Sequence, residues 1–381
     1  MPEWSELKRT CAEALDADGQ FLTDWTRKAF EAVPREAFVP DRFWWPEKQD
    51  DGLFPLIDRK EDPNRWAEAV YTSHTALITQ IDEGAVKPDG PADGHFTSSV
   101  SAPNVVVRKL GHLDLHPGQR VLEIGTGSGY NAALLAERTA RVTTVEVDQA
   151  LAIAAREALT GVRSVVEVVW GDGAGGCASS APFDRIIATA SVRKVPFPWV
   201  EQTAPGGALL VPMANATEAN GLLLLRVEEP GRATGRFVDT VAFMPLRGQE
   251  DGNTGISELY ERTHQQASGT IRECALHELT QSWDAELAVS LRLSDVWVRR
   301  NAEGTWWISN RHATSWAAAR KRPDGSYRVK HWGPRDLFAE VARALEWWRS
   351  NGRPALTDFG VTVTAEHGHQ VWLAEPDNVI C

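Results

Sequence analysis

The strongest chemical signal in this 381-residue sequence is a short run that contains three glycines. A buried strand, a turn at Gly125, Gly127 and Gly129, and a helix that begins near Tyr130 are predicted from RVLEIGTGSGYNAALLAE. Because glycine has no Cβ, the backbone can turn sharply there and approach a ligand closely. We therefore expect a cofactor to bind at this turn.

The spacing of the glycines distinguishes two kinds of cofactor. Dinucleotide folds bind a pyrophosphate with the pattern GxGxxG. In this sequence the third glycine comes one residue early, and Tyr130 occupies its usual position. This favours S-adenosylmethionine, whose amino-acid end carries no phosphate, with S-adenosylhomocysteine as the product.

Two further positions fit the same cofactor. Glu146 lies at the end of the next predicted strand, where a carboxylate can accept hydrogen bonds from both ribose hydroxyls. Asp172 and Gly173 follow the third predicted strand, where a side chain and a backbone amide can contact the edge of the adenine. Taken singly, the features also fit a tight loop or a solvated carboxylate. Together, in one register, they favour a cofactor site.

The elements around these residues predict an α/β fold. Between residues 96 and 246, short β-branched runs alternate with helical ones, which is typical of a doubly wound sheet. We predict a Rossmann-like core of the class I S-adenosylmethionine-dependent methyltransferases with seven strands, at Arg120–Ile124, Arg141–Val147, Ser164–Trp170, Arg185–Ala188, Gly207–Met213, Leu222–Val227 and Phe237–Phe243.

Three other segments are predicted outside this core. Residues 1–95 are expected to form N-terminal helices and a loop-rich insertion, and residues 247–272 a linker or boundary helix. Residues 273–381 contain nine of the sixteen tryptophans and predict an α+β module. Its tryptophans fit a small core of large side chains better than a peptide groove, although one of Trp347 and Trp348 is expected to face outward.

The composition argues against several classes of protein. The formal net charge of −12 disfavours binding to a nucleic acid or an anionic membrane surface. The four cysteines are far apart, and the histidines lack partners at ligand spacing, so we expect no metal site. The separated cysteines, which form no CxxC pair, fit a reducing cytoplasm best, and the oligomeric state is left open. We also expect no signal peptide and no membrane span.

Several motifs together resemble the protein L-isoaspartyl O-methyltransferases. They are AFEAVPREAFVPD, TSSVSAPNVVV, LEIGTGSGYNAALLA, GDGAGG and APFDRIIATASVRKVPFPWVEQTAPGGALLVPM, and the resemblance covers roughly residues 5–245. It implies a carboxyl O-methyltransferase that acts on a peptide or protein. The carboxylate acceptor is already ionised at neutral pH, so no general base is needed.

The resemblance also implies roles for individual residues. Ser101 matches the serine beside the methyl acceptor, which acts as a positioner, and Thr97, Ser98, Ser99 and Val100 would shape the same wall. Asn104 stands where the family usually has His or Tyr, which leaves the acceptor preference open. The methionine part of the cofactor would lie among Glu123, Gly125, Thr126, Gly127 and Ser128, beside Gly129, with Glu146 at the ribose and Asp172 and Gly173 at the adenine.

Two departures from the family point to a narrower function. About fifty residues separate FVP from the serine loop, and about 135 residues follow the core. Long relatives with such segments accompany gene clusters for ribosomally made modified peptides, including graspetides and lanthipeptides. The resemblance to them implies methylation of an ordinary aspartate and closure to an aspartimide. The alternative is repair of isoaspartyl protein.

Two other classes fit the sequence less well. A nucleic-acid methyltransferase would be expected to carry an Asn-Pro-Pro-aromatic motif after the fourth strand, where this chain has IIATASVRKVP. A non-catalytic module that binds a leader peptide would not need the intact glycine spacing with Glu146 and Asp172.

Overall fold

A computed structural model of the chain describes residues 4–213, 216–217, 220–249, 255–293 and 295–381. The helices are α1 (Trp4–Ala17), α2 (Asp24–Ala32), α3 (Pro63–Val70), α4 (Pro103–His112), α5 (Tyr130–Ala136), α6 (Gln149–Gly161), α7 (Phe197–Glu201), α8 (Ile256–Thr263), α9 (Trp283–Arg292) and α10 (Leu337–Ser350).

The strands are β1 (Arg42–Trp44), β2 (Leu56–Asp58), β3 (Leu77–Ile81), β4 (Phe96–Val100), β5 (Val121–Ile124), β6 (Val142–Glu146), β7 (Val166–Trp170), β8 (Phe183–Ala188), β9 (Thr203–Met213), β10 (Asn220–Glu229), β11 (Arg232–Val241), β12 (Ser268–Arg272), β13 (Val296–Arg300), β14 (Trp306–Asn310), β15 (Trp316–Lys321), β16 (Tyr327–Trp332), β17 (Phe359–Thr364) and β18 (Gly368–Leu373).

The chain divides into two compact units. The first consists of Met1–Ala190, Pro198–Leu210 and Arg226–Pro230, and the second of Ser191–Phe197, Val211–Leu225 and Gly231–Cys381. The predicted boundary near residue 95 does not separate units, because the N-terminal helices, the insertion and the cofactor turn all belong to the first.

The first unit contains a parallel sheet. Its neighbouring strands run in the order β9-β8-β5-β6-β7, and each of these pairs is parallel. All residues of β5 and β6 are buried, as expected for central strands covered on both faces. Because the carboxyl ends of parallel strands lie at one edge, the segments that follow β5, β6 and β7 are brought together there.

The insertion forms a second sheet in the first unit. Its strand order is β2-β1-β3-β4, and Trp44, Phe54, Ile78 and Ile81 form a buried cluster in it. The sequence predicted mainly loops in this segment, because its prolines and charges hide strands of only three to five residues. Strand β4 leads directly into Ser101, so the insertion supports the serine loop.

In the second unit, β12 to β16 form a five-stranded sheet in the order β12-β16-β15-β14-β13, with antiparallel neighbours. The tail strands β17 and β18 pair with β11 and with each other, also antiparallel. Trp348 is buried and Trp347 is partly exposed, so neither lies fully in solvent.

Two sequence expectations about these elements need correction. Each of the seven predicted segments contains a strand, but in the second unit β11 also pairs with the tail strand β17, and β17 pairs with β18. The segment predicted as a linker or boundary helix, residues 247–272, contains the helix α8, but it also contains β12, which pairs with β16. Residues 250–254 lie outside the described part. A strand's own sequence shows its period but not its partner, so both pairings escaped prediction.

No helix in the described part of the chain is long and apolar enough to cross a membrane.

The pairing of the tail can be tested at Gly360 in β17. A Cβ at this position would lie 2.2 Å from the Trp372 ring and 2.5 Å from the carbonyl oxygen of Gly235 in β11. We expect Gly360→Ala to reduce the free energy of unfolding by about 2–3 kcal/mol, because packed strands cannot absorb such overlap. Denaturant unfolding measures the change.

The matched control is Gly269→Ala in β12, where a Cβ would meet nothing within 4 Å. This variant should unfold within about 0.5 kcal/mol of the parent. Equal stability of the two variants would contradict the pairing of β17 with β11.

Candidate active site

The turn after β5 has an unusual backbone. Gly125, Gly127 and Gly129 have φ values of +91°, +53° and +87°, a region that residues with a Cβ rarely adopt. The Gly125 N–H donates to the carbonyl oxygen of Val145, and the Gly129 N–H donates to that of Thr126. Gly129 directly precedes α5, so the turn delivers the chain into the helix as predicted.

Thr189, which follows β8, holds the first glycine in place. Its hydroxyl donates to the carbonyl oxygen of Ile124 at 3.0 Å and also to that of Gly125. A Cβ at Gly125 would lie 2.5 Å from this hydroxyl. By contrast, a Cβ at Gly127 would meet only the carbonyl oxygen of Ser99, at 3.8 Å. The turn is therefore packed at its start and open at Gly127.

Glu146 connects the glycine turn to the next crossover. One carboxylate oxygen accepts the N–H of Gly127 at 2.8 Å, and the other accepts the N–H of Asp148 at 3.0 Å. Only 7% of the residue is exposed, so these bonds are shielded from water. An ionised carboxylate has about four acceptor sites, so capacity for further hydrogen bonds remains.

Glu123 lies beneath the turn and has no exposed surface. Its carboxylate accepts hydrogen bonds from the Asn131 side-chain amide and the Thr144 hydroxyl, each at 2.6 Å. Thr144 also shares a 2.7 Å hydrogen bond with Thr126. Glu123 is thus engaged by protein groups that orient the turn, rather than lying on its open side.

A buried lysine accompanies this carboxylate. Burial raises the pKa of Glu123 and lowers that of Lys109, and the attraction between the two opposes both shifts. The ammonium of Lys109 also donates to the carbonyl oxygen of Ala188 at 3.2 Å. The pair places two ionisable groups under the turn, where each limits the cost of burying the other.

Asp172 and Gly173 lie beside Glu146. The N–H of Gly171 donates to the carbonyl oxygen of Glu146, which joins the end of β7 to the end of β6. The exposed Asp172 caps a short turn by accepting the N–H of Ala174 at 2.8 Å, and Gly173 is buried. The structure therefore brings together the glycine turn, Glu146 and Asp172 at one edge of the sheet.

The four hydroxyls of the serine loop differ in their partners. The Thr97 hydroxyl donates to the Gln80 side chain at 2.9 Å, and the Ser98 hydroxyl accepts from Thr79 at 3.1 Å. Ser99 and Ser101 are partly exposed, and their hydroxyls have no partner within the described ranges. These two hydroxyls are consequently available to a substrate.

Asn104, in the first turn of α4, has an unsatisfied side chain. Its N–H donates to the carbonyl oxygen of Ser73, but its buried side-chain oxygen accepts no hydrogen bond from the described residues. A buried acceptor without a donor is costly, so the Asn104 oxygen is an unsatisfied polar atom next to the serine loop.

Arg35 lies within the motif AFEAVPREAFVPD, but its role was not predicted from the sequence. Arg35 is fully buried, and its guanidinium donates to the carbonyl oxygens of Val70 at 2.8 Å, Ser101 at 2.9 Å and Val100 at 3.5 Å. It also lies over the Tyr130 ring, 4.9 Å from the ring centre. Arg35 thus links the serine loop to the start of the cofactor helix, and burial lowers its pKa.

These features together define a class of protein. A parallel sheet with a glycine turn after its first central strand and a carboxylate at the end of the next is the arrangement of nucleoside-cofactor folds. The side of the turn at Gly127 is open to an added Cβ and lies next to the carbonyl oxygen of Ser99 in the serine loop. The site is that of a methyltransferase with a polar acceptor side.

Comparisons with known proteins identify the family. The family model for protein-L-isoaspartate(D-aspartate) O-methyltransferase matches residues 65–251. The protein-L-isoaspartate O-methyltransferase of Thermococcus sibiricus is 34% identical over 251 residues, which cover 65% of this chain and 94% of that protein. The one from Pyrobaculum neutrophilum is 41% identical over 241 residues, 62% of this chain and 96% of that protein.

A solved protein-L-isoaspartate O-methyltransferase structure has the same fold, with a TM-score of 0.52 and 20% identity over 97% of this chain and all of that chain. The chain therefore belongs to the protein-L-isoaspartate O-methyltransferase family. It is a protein carboxyl O-methyltransferase with the class I methyltransferase fold, and its cofactor is S-adenosylmethionine.

The open side of the turn can be tested with Gly127→Ala. The added methyl would enter the space beside Ser99 without striking protein, so we expect the affinity for S-adenosylhomocysteine to fall at least about tenfold. Calorimetric titration measures this. The control is Gly118→Ala, which has a φ of +84° and no atom within 4 Å of the added Cβ. Equal losses of affinity in both variants would indicate that backbone strain is the cause, and would contradict a cofactor site beside Gly127.

The role of Arg35 is tested by Arg35→Met. We expect kcat/KM for the acceptor to fall at least about tenfold, because three carbonyl oxygens near Ser101 lose a charged donor. The affinity for S-adenosylhomocysteine should change less than about threefold, because the glycine turn is retained.

A matched control exists in Arg185. This buried arginine also donates to three carbonyl oxygens, those of Leu113, Asp114 and Asp184. Arg185→Met should lower the free energy of unfolding. The value of kcat/KM for the acceptor, measured per folded molecule, should not fall comparably. If both variants behave alike, Arg35 has no special role at the serine loop.

Proposed function

We propose that the chain transfers the methyl group of S-adenosylmethionine to the carboxylate of an L-isoaspartyl residue in a peptide or protein. The observation that carries this proposal is the position of the serine loop. The carbonyl oxygen of Ser99 is close to the open side of Gly127, and the neighbouring Ser101 has an unpartnered hydroxyl and a carbonyl held by Arg35. The family description and the names of the relatives also specify isoaspartate, which supports the same acceptor.

The proposed cofactor contacts follow from the geometry of the turn. Gly125, Thr126, Gly127, Ser128 and Gly129 would hold the methionine part, Glu146 the ribose, and Asp172 with Gly173 the adenine. Because Glu123 is fully buried, we propose that it acts indirectly, by orienting Asn131 and Thr144 beneath the turn.

The reaction requires little of the protein beyond placing the acceptor carboxylate close to the methyl carbon. The bound cofactor supplies an electrophilic methyl on a sulfonium. The acceptor carboxylate has an ordinary pKa of about 4 and is ionised at neutral pH, so its oxygen can bond to the methyl carbon as the carbon–sulfur bond breaks. The Ser101 hydroxyl would donate to this carboxylate and orient it, and the Asn104 oxygen would accept an N–H of the peptide. Alignment of this kind contributes several kcal/mol to catalysis.

A second candidate is an aspartate in a ribosomally made, modified peptide. The insertion favours it, because strand β3 pairs directly with β4, and the acceptor wall formed by Thr97 to Val100 is therefore built on residues of the insertion. In both cases the methyl ester would activate its carbonyl towards attack by the following amide nitrogen. A succinimide would form with loss of methanol.

The acceptor is tested with three peptides that share a sequence and carry isoaspartate, aspartate, or aspartate within a crosslinked ring. We expect the isoaspartyl peptide to gain one methyl group by mass spectrometry and then lose methanol. Methylation of the crosslinked peptide alone would overturn this proposal and establish the second candidate.

Ser101→Ala should lower kcat/KM about tenfold by removing a hydrogen bond to a charged group. Ser164→Ala, at a loop serine before β7, is the control and should retain the activity of the parent protein.

A further inference from the structure

Strand β3 of the insertion carries a polar side chain at the edge of the acceptor wall. In the pairing of β3 with β4, Ile78 is opposite Ser99, Gln80 opposite Ser98 and Ile81 opposite Phe96. The register shifts by one residue before Gln80 and shifts back after it. Irregularities of this kind re-aim side chains, and here they make Gln80 and Thr97 hydrogen-bonded neighbours.

The side-chain amide of Gln80 connects two parts of the first unit. Its nitrogen donates to the Asp148 carboxylate at 2.9 Å, and its oxygen accepts the Thr97 hydroxyl at 2.9 Å. Gln80 is only 9% exposed. A hydrogen bond from a buried amide to a carboxylate is among the stronger kinds.

Asp148 carries the connection to the cofactor side. Its other carboxylate oxygen caps α6 by accepting the N–H groups of Ala150 and Leu151. Its own N–H donates to Glu146, whose second oxygen accepts the N–H of Gly127. A continuous hydrogen-bonded path therefore runs from Thr97 through Gln80, Asp148 and Glu146 to the glycine turn.

We infer that Gln80 is a positioning residue that couples the acceptor strand β4 to the cofactor turn. Cofactor contacts at Glu146 and Gly127 are transmitted along this path and hold Thr97 to Val100 in place for the acceptor. The kinetic part of this inference rests on the proposed methyl transfer, whereas the coupling itself does not.

Glutamine suits this position because the path needs a donor and an acceptor on one side chain. Methionine has a similar size but offers no strong hydrogen bond. Glutamate retains an acceptor for Thr97 but sets a second carboxylate against Asp148. These differences allow the path to be broken and restored.

Hydrogen–deuterium exchange tests the coupling without any acceptor. In the full-length protein, S-adenosylhomocysteine should slow amide exchange both at the glycine turn and in β4, the latter at least about threefold. In Gln80→Met, protection of the turn should remain and protection of β4 should disappear. Gln119→Met is the matched control and should behave as the parent, because the side chain of Gln119 accepts a local N–H from His116 and has no other partner among the described residues.

A charge rescue provides the second test. Gln80→Glu should lose protection of β4 and lower kcat for the isoaspartyl peptide about tenfold, with KM for the peptide changed less than about threefold. Adding Asp148→Asn removes the repulsion, preserves the cap of α6 and supplies an amide donor to the introduced carboxylate. The double variant should recover both protection and kcat to within about threefold of Asp148→Asn alone.

Two results would overturn the inference: protection of β4 that is the same in Gln80→Met as in the parent, and failure of the double variant to improve on Gln80→Glu. The proposed function can fail independently of this inference. If the parent protein methylates none of the peptides, the exchange experiment still shows whether S-adenosylhomocysteine protects β4 through Gln80.

Discussion

One carboxylate oxygen of Glu146 accepts the N–H of Gly127, and the other accepts the N–H of Asp148. This single side chain therefore fixes the turn after β5 and the first turn of α6, which belong to different crossovers of the parallel sheet. The two meet only because β5 and β6 are adjacent and in register. Most other features of the site depend on this contact between the two crossovers, since Asp148 in turn accepts a hydrogen bond from Gln80 of the insertion.

Buried charges support the site from two sides. Lys109 and Glu123 lie under the glycine turn, and Arg35 lies behind the serine loop. Burial of a charge costs several kcal/mol unless hydrogen bonds and partners offset it, so such groups are weak evidence for stability. Their hydrogen bonds are directed instead at backbone carbonyls and polar side chains that define the site. We infer that these charged groups maintain the geometry of the site and somewhat lower the stability of the protein.

The sequence was informative where the signal is local. Three glycines within five residues predict a turn because each acts on its own backbone, and the positive φ values agree. The position of Glu146 was predictable for a similar reason, since the end of a β-branched run marks the end of a strand. The family resemblance extended this local reading to the serine loop, and family membership is confirmed.

Long-range pairing was not predictable. Gln80 and Asp148 are 68 residues apart, and nothing in either neighbourhood identifies the other as its partner. Arg35 lies in the motif AFEAVPREAFVPD, but its contacts with Val70 and Ser101 come from segments that are distant in the sequence. The tail strand β17 likewise shows its period in the sequence but not its pairing with β11.

The hydrogen bonds of the serine loop give a physical reason for the different roles of its hydroxyls. Four hydroxyls occur in this loop, and the family resemblance implied a role beside the methyl acceptor for Ser101 and a place in the wall for the other three. The hydroxyls of Thr97 and Ser98 are hydrogen-bonded to the side chains of Gln80 and Thr79 in the insertion. They therefore stabilise the wall rather than bind a substrate. Ser101 differs because its carbonyl is anchored by a buried cation while its hydroxyl stays free. An anchored backbone limits the positions that this hydroxyl can reach, which is the property required of a group that orients a carboxylate for in-line attack.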